Sequence, residues 1–162
     1  MPSITALLHT ENDALRLGRA LETLYACDEI LIVDYGSRDA TVRVAREYGA
    51  RVVPAAPGFS AQDYLPFARA GWILCLEACE SLTEKLAASL FEWKSESLPA
   101  NGSGASVFSV FLREETDQGW VAVPTAQTRL VPRGWRSWKG KFPLHEPSAI
   151  ALEGELLRFV FP

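Results

Sequence analysis

The segment Glu29-Ile-Leu-Ile-Val-Asp34-Tyr-Gly36-Ser37-Arg-Asp39-Ala-Thr41 constrains the fold of this chain more than any other. An apolar, β-branched run stops at an aspartate, turns at Gly-Ser and enters a helical stretch, so a carboxylate is delivered to the carboxyl end of a strand. The flanking patterns extend it. They predict a strand over Ile4 to Leu8, and a helix over about Asp13 to Ala26 with Ala14, Leu17, Leu21 and Leu24 on one face. Thr10 and Asp13 are read as that helix's capping box. After the strand Ile30 to Asp34 comes a helix near Ala40 to Tyr48, stopped by Gly49, and a short strand Arg51 to Val53. Right-handed crossovers turn this β-α-β-α-β run into a parallel sheet covered by helices. The loops after Leu8 and Asp34 then share one edge, the edge where open α/β sheets bind ligands.

Further along, Pro54, Pro57 and Gly58 mark a loop, Ser60 to Ala70 reads as helical despite Pro66, and Trp72 to Leu76 as a buried strand. Ser81 and Glu84 suggest a capping box for a helix through Trp93. Pro99 to Gly104 reads as a loop between two halves of a single domain over 1–162, one half about 1–98 and the other about 105–162. The second half carries strand patterns at Ser106 to Leu112, Gly119 to Val123, Gln127 to Val131 and Ile150 to Phe161.

Composition narrows the function classes. With 48% hydrophobic residues in 162, the chain has ample material for one core. Sixteen basic against twenty acidic residues, net charge -4, argue against a nucleic-acid groove and a polybasic membrane patch. Cys27, Cys75 and Cys79 include no Cys-x-x-Cys pair and read as reduced thiols. No run reaches the roughly 18 apolar residues of a membrane span, and Met-Pro-Ser-Ile lacks a basic leader region. The expectation is a cytoplasmic protein with no transmembrane segment and no nucleic-acid partner.

Four segments resemble the family 2 glycosyltransferases of GT-A fold, and more closely their bacterial lipopolysaccharide-core-type members. They are Leu8-His9-Thr10-Glu11-Asn12; Val33-Asp34-Tyr35-Gly36-Ser37-Arg38-Asp39-Ala40-Thr41; Trp72-Ile73-Leu74-Cys75-Leu76-Glu77-Ala78-Cys79-Glu80; and Arg129-Leu130-Val131 with Leu144-His145-Glu146. The second is specific, and the others occur in the right order. The resemblance implies an α/β, GT-A (Rossmann-like) fold with a mainly parallel central sheet. It also implies a nucleotide-sugar donor, commonly UDP-linked, inverting transfer to an unknown acceptor, and a setting in cell-envelope glycan synthesis. The acceptor half is short for the family, so the acceptor pocket is expected to be reduced or completed by another chain, a homodimer being one arrangement. The alternative reading is a degenerate GT-A domain that binds a nucleotide or a protein partner without turnover.

The resemblance also implies site roles. His9, Glu11 and Asp34 would line the nucleotide pocket, with Asp34 accepting from a base N–H and Asp39 near the ribose or the turn. The alternative is that Asp34 and Ser37 merely hold the turn and cap the next helix, and that His9 is a satisfied polar strand tip. Where the family places an Asp-x-Asp motif for Mg²⁺ or Mn²⁺, this chain has Glu77 and Cys79. Glu77 still offers oxygen, a thiol suits these ions poorly, and Glu80 substitutes only if the backbone turns there. Cys79 could instead pack as a small apolar residue. Of the pair His145-Glu146, the histidine would contact diphosphate or metal and the carboxylate would take the acceptor's proton, unless Glu146 is a solvated loop residue. Arg129, Arg133 and Lys141 are candidate phosphate contacts or simply solvated cations. Trp135 and Trp138 would stack on a sugar or fill the core.

Overall fold

In the computed structural model, which describes residues 2–96 and 107–162, the elements run β1 (Ile4–Thr10), α1 (Ala14–Glu22), β2 (Glu29–Asp34), α2 (Thr41–Glu47), β3 (Arg51–Pro54), a 3₁₀ helix (Ala61–Phe67), β4 (Trp72–Glu77), β5 (Glu80–Leu82), α3 (Glu84–Glu96), β6 (Phe108–Thr116), β7 (Gly119–Ala122), β8 (Gln127–Pro132), β9 (Trp138–Lys139), β10 (Phe142–Pro143) and β11 (Ile150–Arg158). The main sheet has the order β3-β2-β1-β4-β8-β6-β11-β5, with β7 on β6, and β9 and β10 form a separate hairpin. The first four strands are parallel, as the β-α-β pattern requires. β8 then joins β4 antiparallel, and β11 lies parallel to β6.

Alternation along the buried strands explains the layers. Ile4, Ala6 and Leu8 of β1 pack with Ile32, Leu74 and Leu76 beneath Leu17, Leu21, Leu86 and Leu90 of α1 and α3. Leu7, Leu31, Val33, Ile73 and Cys75 face the other way, against Tyr64 and Leu65 of the 3₁₀ helix. Truncating one of these fully buried leucines to alanine costs about 2–5 kcal/mol, because both transfer energy and a cavity are involved.

The sheet is strongly curled. Only Ala78 and Cys79 separate β4 from β5, yet the two strands sit four places apart in the sheet order. The far edge therefore returns beside the end of β4, where Phe159 N donates to Cys79 O at 2.9 Å. At the bulge in β11, Gly154 has φ +96°, and a Cβ there would lie 2.2 Å from the backbone N of Leu86. The glycine is what lets α3 lie against this strand.

Three local expectations differ. Asp13 precedes α1 but makes no side-chain cap; its carboxylate accepts from Arg16 Nε at 2.8 Å instead. Ser81 does not cap the following helix, since it lies within β5, and Thr83 Oγ1 accepts from Leu86 N at 3.2 Å in that place. The Ser60–Ala70 segment is a 3₁₀ helix over Ala61–Phe67, opened by a capping box between Ser60 and Asp63. The loop expected at Pro99 to Gly104 lies outside the described residues, as does Ser106 of the following strand pattern.

Candidate functional site

Register places the candidate residues on one edge. Across β1, Thr10 pairs with Asp34 of β2 and His9 with Glu77 of β4. All lie at the carboxyl ends of parallel strands, where peptide groups and following loops are open to a ligand.

The loops after β1 and β2 are laced together. Asp34 accepts from Ser37 N at 2.9 Å and Ser37 Oγ at 2.5 Å, which closes the Gly36 turn. Asn12, at φ +50°, donates its backbone N–H to Ser37 Oγ and accepts from Arg38 N at 2.7 Å. Asp39 accepts from both Thr41 N and Thr41 Oγ1 and, at 3.4 Å, from Ala14 N. These bonds hold its carboxyl below the ordinary aspartate range. Asp34 and Asp39 thus shape the loops, while Glu11 is exposed on the rim.

His9 is buried at the end of β1, 7% exposed, with Nδ1 2.9 Å from Tyr35 Oη and its ring edge-on to Tyr64 at 5.9 Å. Burial, and then the charge of Lys141, lowers its pKa to about 4, so the ring is neutral at physiological pH. Its Nε2 has no hydrogen-bond partner among the described residues. Above it, Lys141 at the tip of the β9–β10 hairpin holds its ammonium 5.0 Å from the centre of the Tyr35 ring. Tyr35, Tyr64 and the neutral His9 make an aromatic floor beneath a cation. Tyr35 sits at the variable position of the Val-Asp-x-Gly-Ser segment, the one signal that pointed to it; Tyr64 had none.

The corner after β4 is arranged differently from a metal-binding one. The chain turns at Ala78-Cys79, which brings Glu80 inward to accept from Glu77 N at 2.7 Å. Glu80 is wholly buried and takes two bonds from Arg129, Nη1 to Oε1 at 2.7 Å and Nη2 to Oε2 at 3.0 Å, and a third from Arg158 Nη2 at 3.0 Å. Burial alone would raise its pKa, but the guanidinium of Arg129 outweighs that and holds it below the usual range. Expected as a substitute metal ligand, Glu80 has its carboxylate oxygens committed to these donors. Glu77, half-exposed, lies 3.8 Å from Arg158 Nε and accepts from the Cys79 thiol at 3.7 Å. Burial, followed by the charges of Glu77 and Glu80, pushes that thiol up to about 11, so it stays protonated. One free carboxylate, a protonated thiol and a facing guanidinium do not fit Mg²⁺ or Mn²⁺, which require several hard oxygen donors. No group of three metal-ligating side chains occurs among the described residues.

His145 is exposed and lines a cleft of about 290 Å³ with Gln127, Arg129 and Phe142. The Phe142 ring stacks 4.0 Å from the Arg129 guanidinium, so this cleft adjoins the Glu80 corner. Glu146 donates its N–H to Thr128 Oγ1 at 3.0 Å, and its carboxylate accepts from Ser148 Oγ at 2.8 Å. The Ser148 bonds lower its pKa, leaving it ionised. No hydrogen bond joins His145 or Glu146 to His9 or Asp34 among the described residues; the two parts meet through Arg129 and the hairpin. Among the cationic candidates, Arg129 is fully buried in its pair, and Arg133 bonds Ala68 O at the amino end of β4, away from the site. Trp135 and Trp138 pack on the second core face.

A parallel β3-β2-β1-β4 sheet whose carboxyl edge carries the interlaced loops after β1 and β2, continued by a curled mixed half, is a GT-A-type fold. The solved glucosyl-3-phosphoglycerate synthase of Mycobacterium tuberculosis, in complex with Mn²⁺, UDP and phosphoglyceric acid, aligns with 72% of this chain and 45% of its own at TM-score 0.51 and 17% identity. In sequence, an uncharacterized glycosyltransferase of Rickettsia felis is 34% identical over 91 residues, 53% of this chain and 32% of that protein. A TPR repeat-containing protein of Synechococcus elongatus is 30% identical over 151 residues, 90% of this chain and 35% of that protein. The chain thus spans about a third of the length of these curated relatives. No family model matches. In fold the chain is GT-A, and in sequence about half of it is similar to a protein named as a glycosyltransferase. Among the described residues no helix is long and apolar enough to cross a membrane.

Proposed function

We propose that this chain is the nucleotide-sugar-binding part of a cytoplasmic glycosyltransferase, using His9, Tyr35 and the rim residue Glu11 to hold the nucleotide in loops that Asp34 and Asp39 shape. The observation that carries this reading is the aromatic floor of His9, Tyr35 and Tyr64 beneath Lys141, at the carboxyl edge of a GT-A sheet. The Mycobacterium tuberculosis neighbour, described with UDP, supports a uridine nucleotide as the first donor to test.

The reaction in this reading is inverting displacement. An acceptor hydroxyl attacks the anomeric carbon, the bond from that carbon to the diphosphate oxygen breaks with its electron pair leaving on the diphosphate, and Glu146 takes the hydroxyl proton. Its carboxylate is ionised, although its bonds from Ser148 must give way for it to take the proton, and His145 beside it would orient acceptor or diphosphate. Because Glu77, Cys79 and Glu80 fit a divalent ion poorly, no step is routed through one. A cell-envelope glycan is the proposed acceptor class.

The same altered corner favours a second reading, a domain that binds the nucleotide without turnover. Incubating the chain with a panel of UDP-, GDP-, ADP- and CMP-linked sugars separates the two. Donor hydrolysis or transfer with one of them supports the enzyme, whereas nucleotide binding with no product from any donor supports the binding domain.

A further inference from the structure

The departure at the metal corner has a counterpart on the hairpin. The corner carboxylates Glu77 and Glu80, with Glu114 beside them, are held by two guanidinium groups, Arg129 and Arg158, while Cys79 remains neutral. A divalent ion entering there would have to displace Arg158 from carboxylates it contacts at 3.0, 3.4 and 3.8 Å. A nucleoside diphosphate still needs a positive partner. Lys141 is exposed, sits over Tyr35 and close enough to His9 to lower its pKa, and makes no salt bridge or hydrogen bond among the described residues. His9 pairs in register with Glu77, so Lys141 stands over the same strand ends as the altered corner.

We infer that Lys141, carried on the β9–β10 hairpin, supplies the counter-charge for the diphosphate, and that nucleotide binding at this edge is independent of divalent metal. This rests on the donor-site reading above. Lysine suits the role because its ammonium is a compact charge on a flexible stem that can follow phosphate oxygens.

The test is calorimetric titration of UDP and of uridine into the chain, in EDTA and in Mn²⁺, for the native sequence, Lys141→Met and Lys141→Arg. Thermal unfolding checks that the variants fold, as expected for substitutions at an exposed position. The expected result is equal UDP affinity in EDTA and Mn²⁺. Lys141→Met should weaken UDP roughly tenfold or more while sparing uridine, and Lys141→Arg should largely restore UDP. UDP binding that is lost in EDTA would overturn metal independence and leave the donor site standing. Unchanged UDP affinity in Lys141→Met would overturn the role of Lys141. Absence of binding by both UDP and uridine in every condition would remove the donor-site reading and this inference with it.

Discussion

Arg129 and Glu80, 49 residues apart in sequence, form a two-point ion pair in which both side chains are wholly buried. Its acceptor side also holds Glu77 N and Arg158, and its donor side also bonds Cys75 O and Gln127 Oε1. The pair therefore ties the end of β4, the start of β5, β8 and β11 into one node. Removing one partner leaves an uncompensated charge in the interior. Glu80→Gln should cost about 3–5 kcal/mol, whereas Glu80→Leu combined with Arg129→Met should recover much of that loss. Urea unfolding of the single and double variants measures both, and a loss below about 1 kcal/mol in Glu80→Gln would contradict the burial of the charge.

Stability should fall with pH across the range set by His9. Unfolded, the imidazole takes up its proton near 6.5; folded, only near 4. Between those values the unfolded chain binds more protons, so stability is greatest above pH 6.5 and declines as pH falls toward 4. The contribution is at most about 3.5 kcal/mol, from roughly 1.4 kcal/mol per pH unit over that interval. In His9→Phe the stability slope between pH 4 and 6.5 should flatten. An unchanged slope would show that the ring titrates freely in the folded state.

Gly154→Ala should be strongly destabilising, by at least ~2 kcal/mol, because a positive φ and a backbone contact are both violated. A thermal melt reports it. Near-native stability would mean that β11 and α3 can separate without loss.

If transfer is detected, Glu146→Gln should reduce the turnover rate roughly 100-fold or more with nucleotide affinity unchanged. Steady-state rates with saturating donor give the first quantity and calorimetry the second. Full turnover in the variant would take Glu146 out of the mechanism.

The parallel half was legible because β1, β2 and β4 are each a short, mainly apolar run, buried on both faces and bounded by its own turn residues. Strand and helix ends moved by a few residues: β1 runs on to Thr10, and α1 stops at Glu22 rather than near Ala26. The capping expectation at Ser81 failed because the Ala78-Cys79 turn puts Ser81 in a strand that pairs with Leu157, a partner 76 positions away. The inward turn of Glu80 depends on Arg129, which no local pattern announces. At the site, the motif residues Asp34, Ser37 and Asp39 were visible as a group, but the hydrogen bonds that consume their side chains were not. Lys141 was readable only as one cation among several. A four-residue hairpin core, Trp138–Lys139 with Phe142–Pro143, selects it by carrying it over Tyr35.

Nucleotide binding at the carboxyl edge of β1 and β2 can be observed directly. At 17.9 kDa the chain is small enough for residue-resolved NMR, and the direct measurement is an amide shift map on titration with UDP in EDTA. Saturable shifts centred on His9, Tyr35, Gly36 and Lys141 are the expected result of binding at that edge. Shifts confined to the opposite edge, around Ser3, Asp28 and Gly49, or no saturable shift for any nucleoside diphosphate, would contradict it.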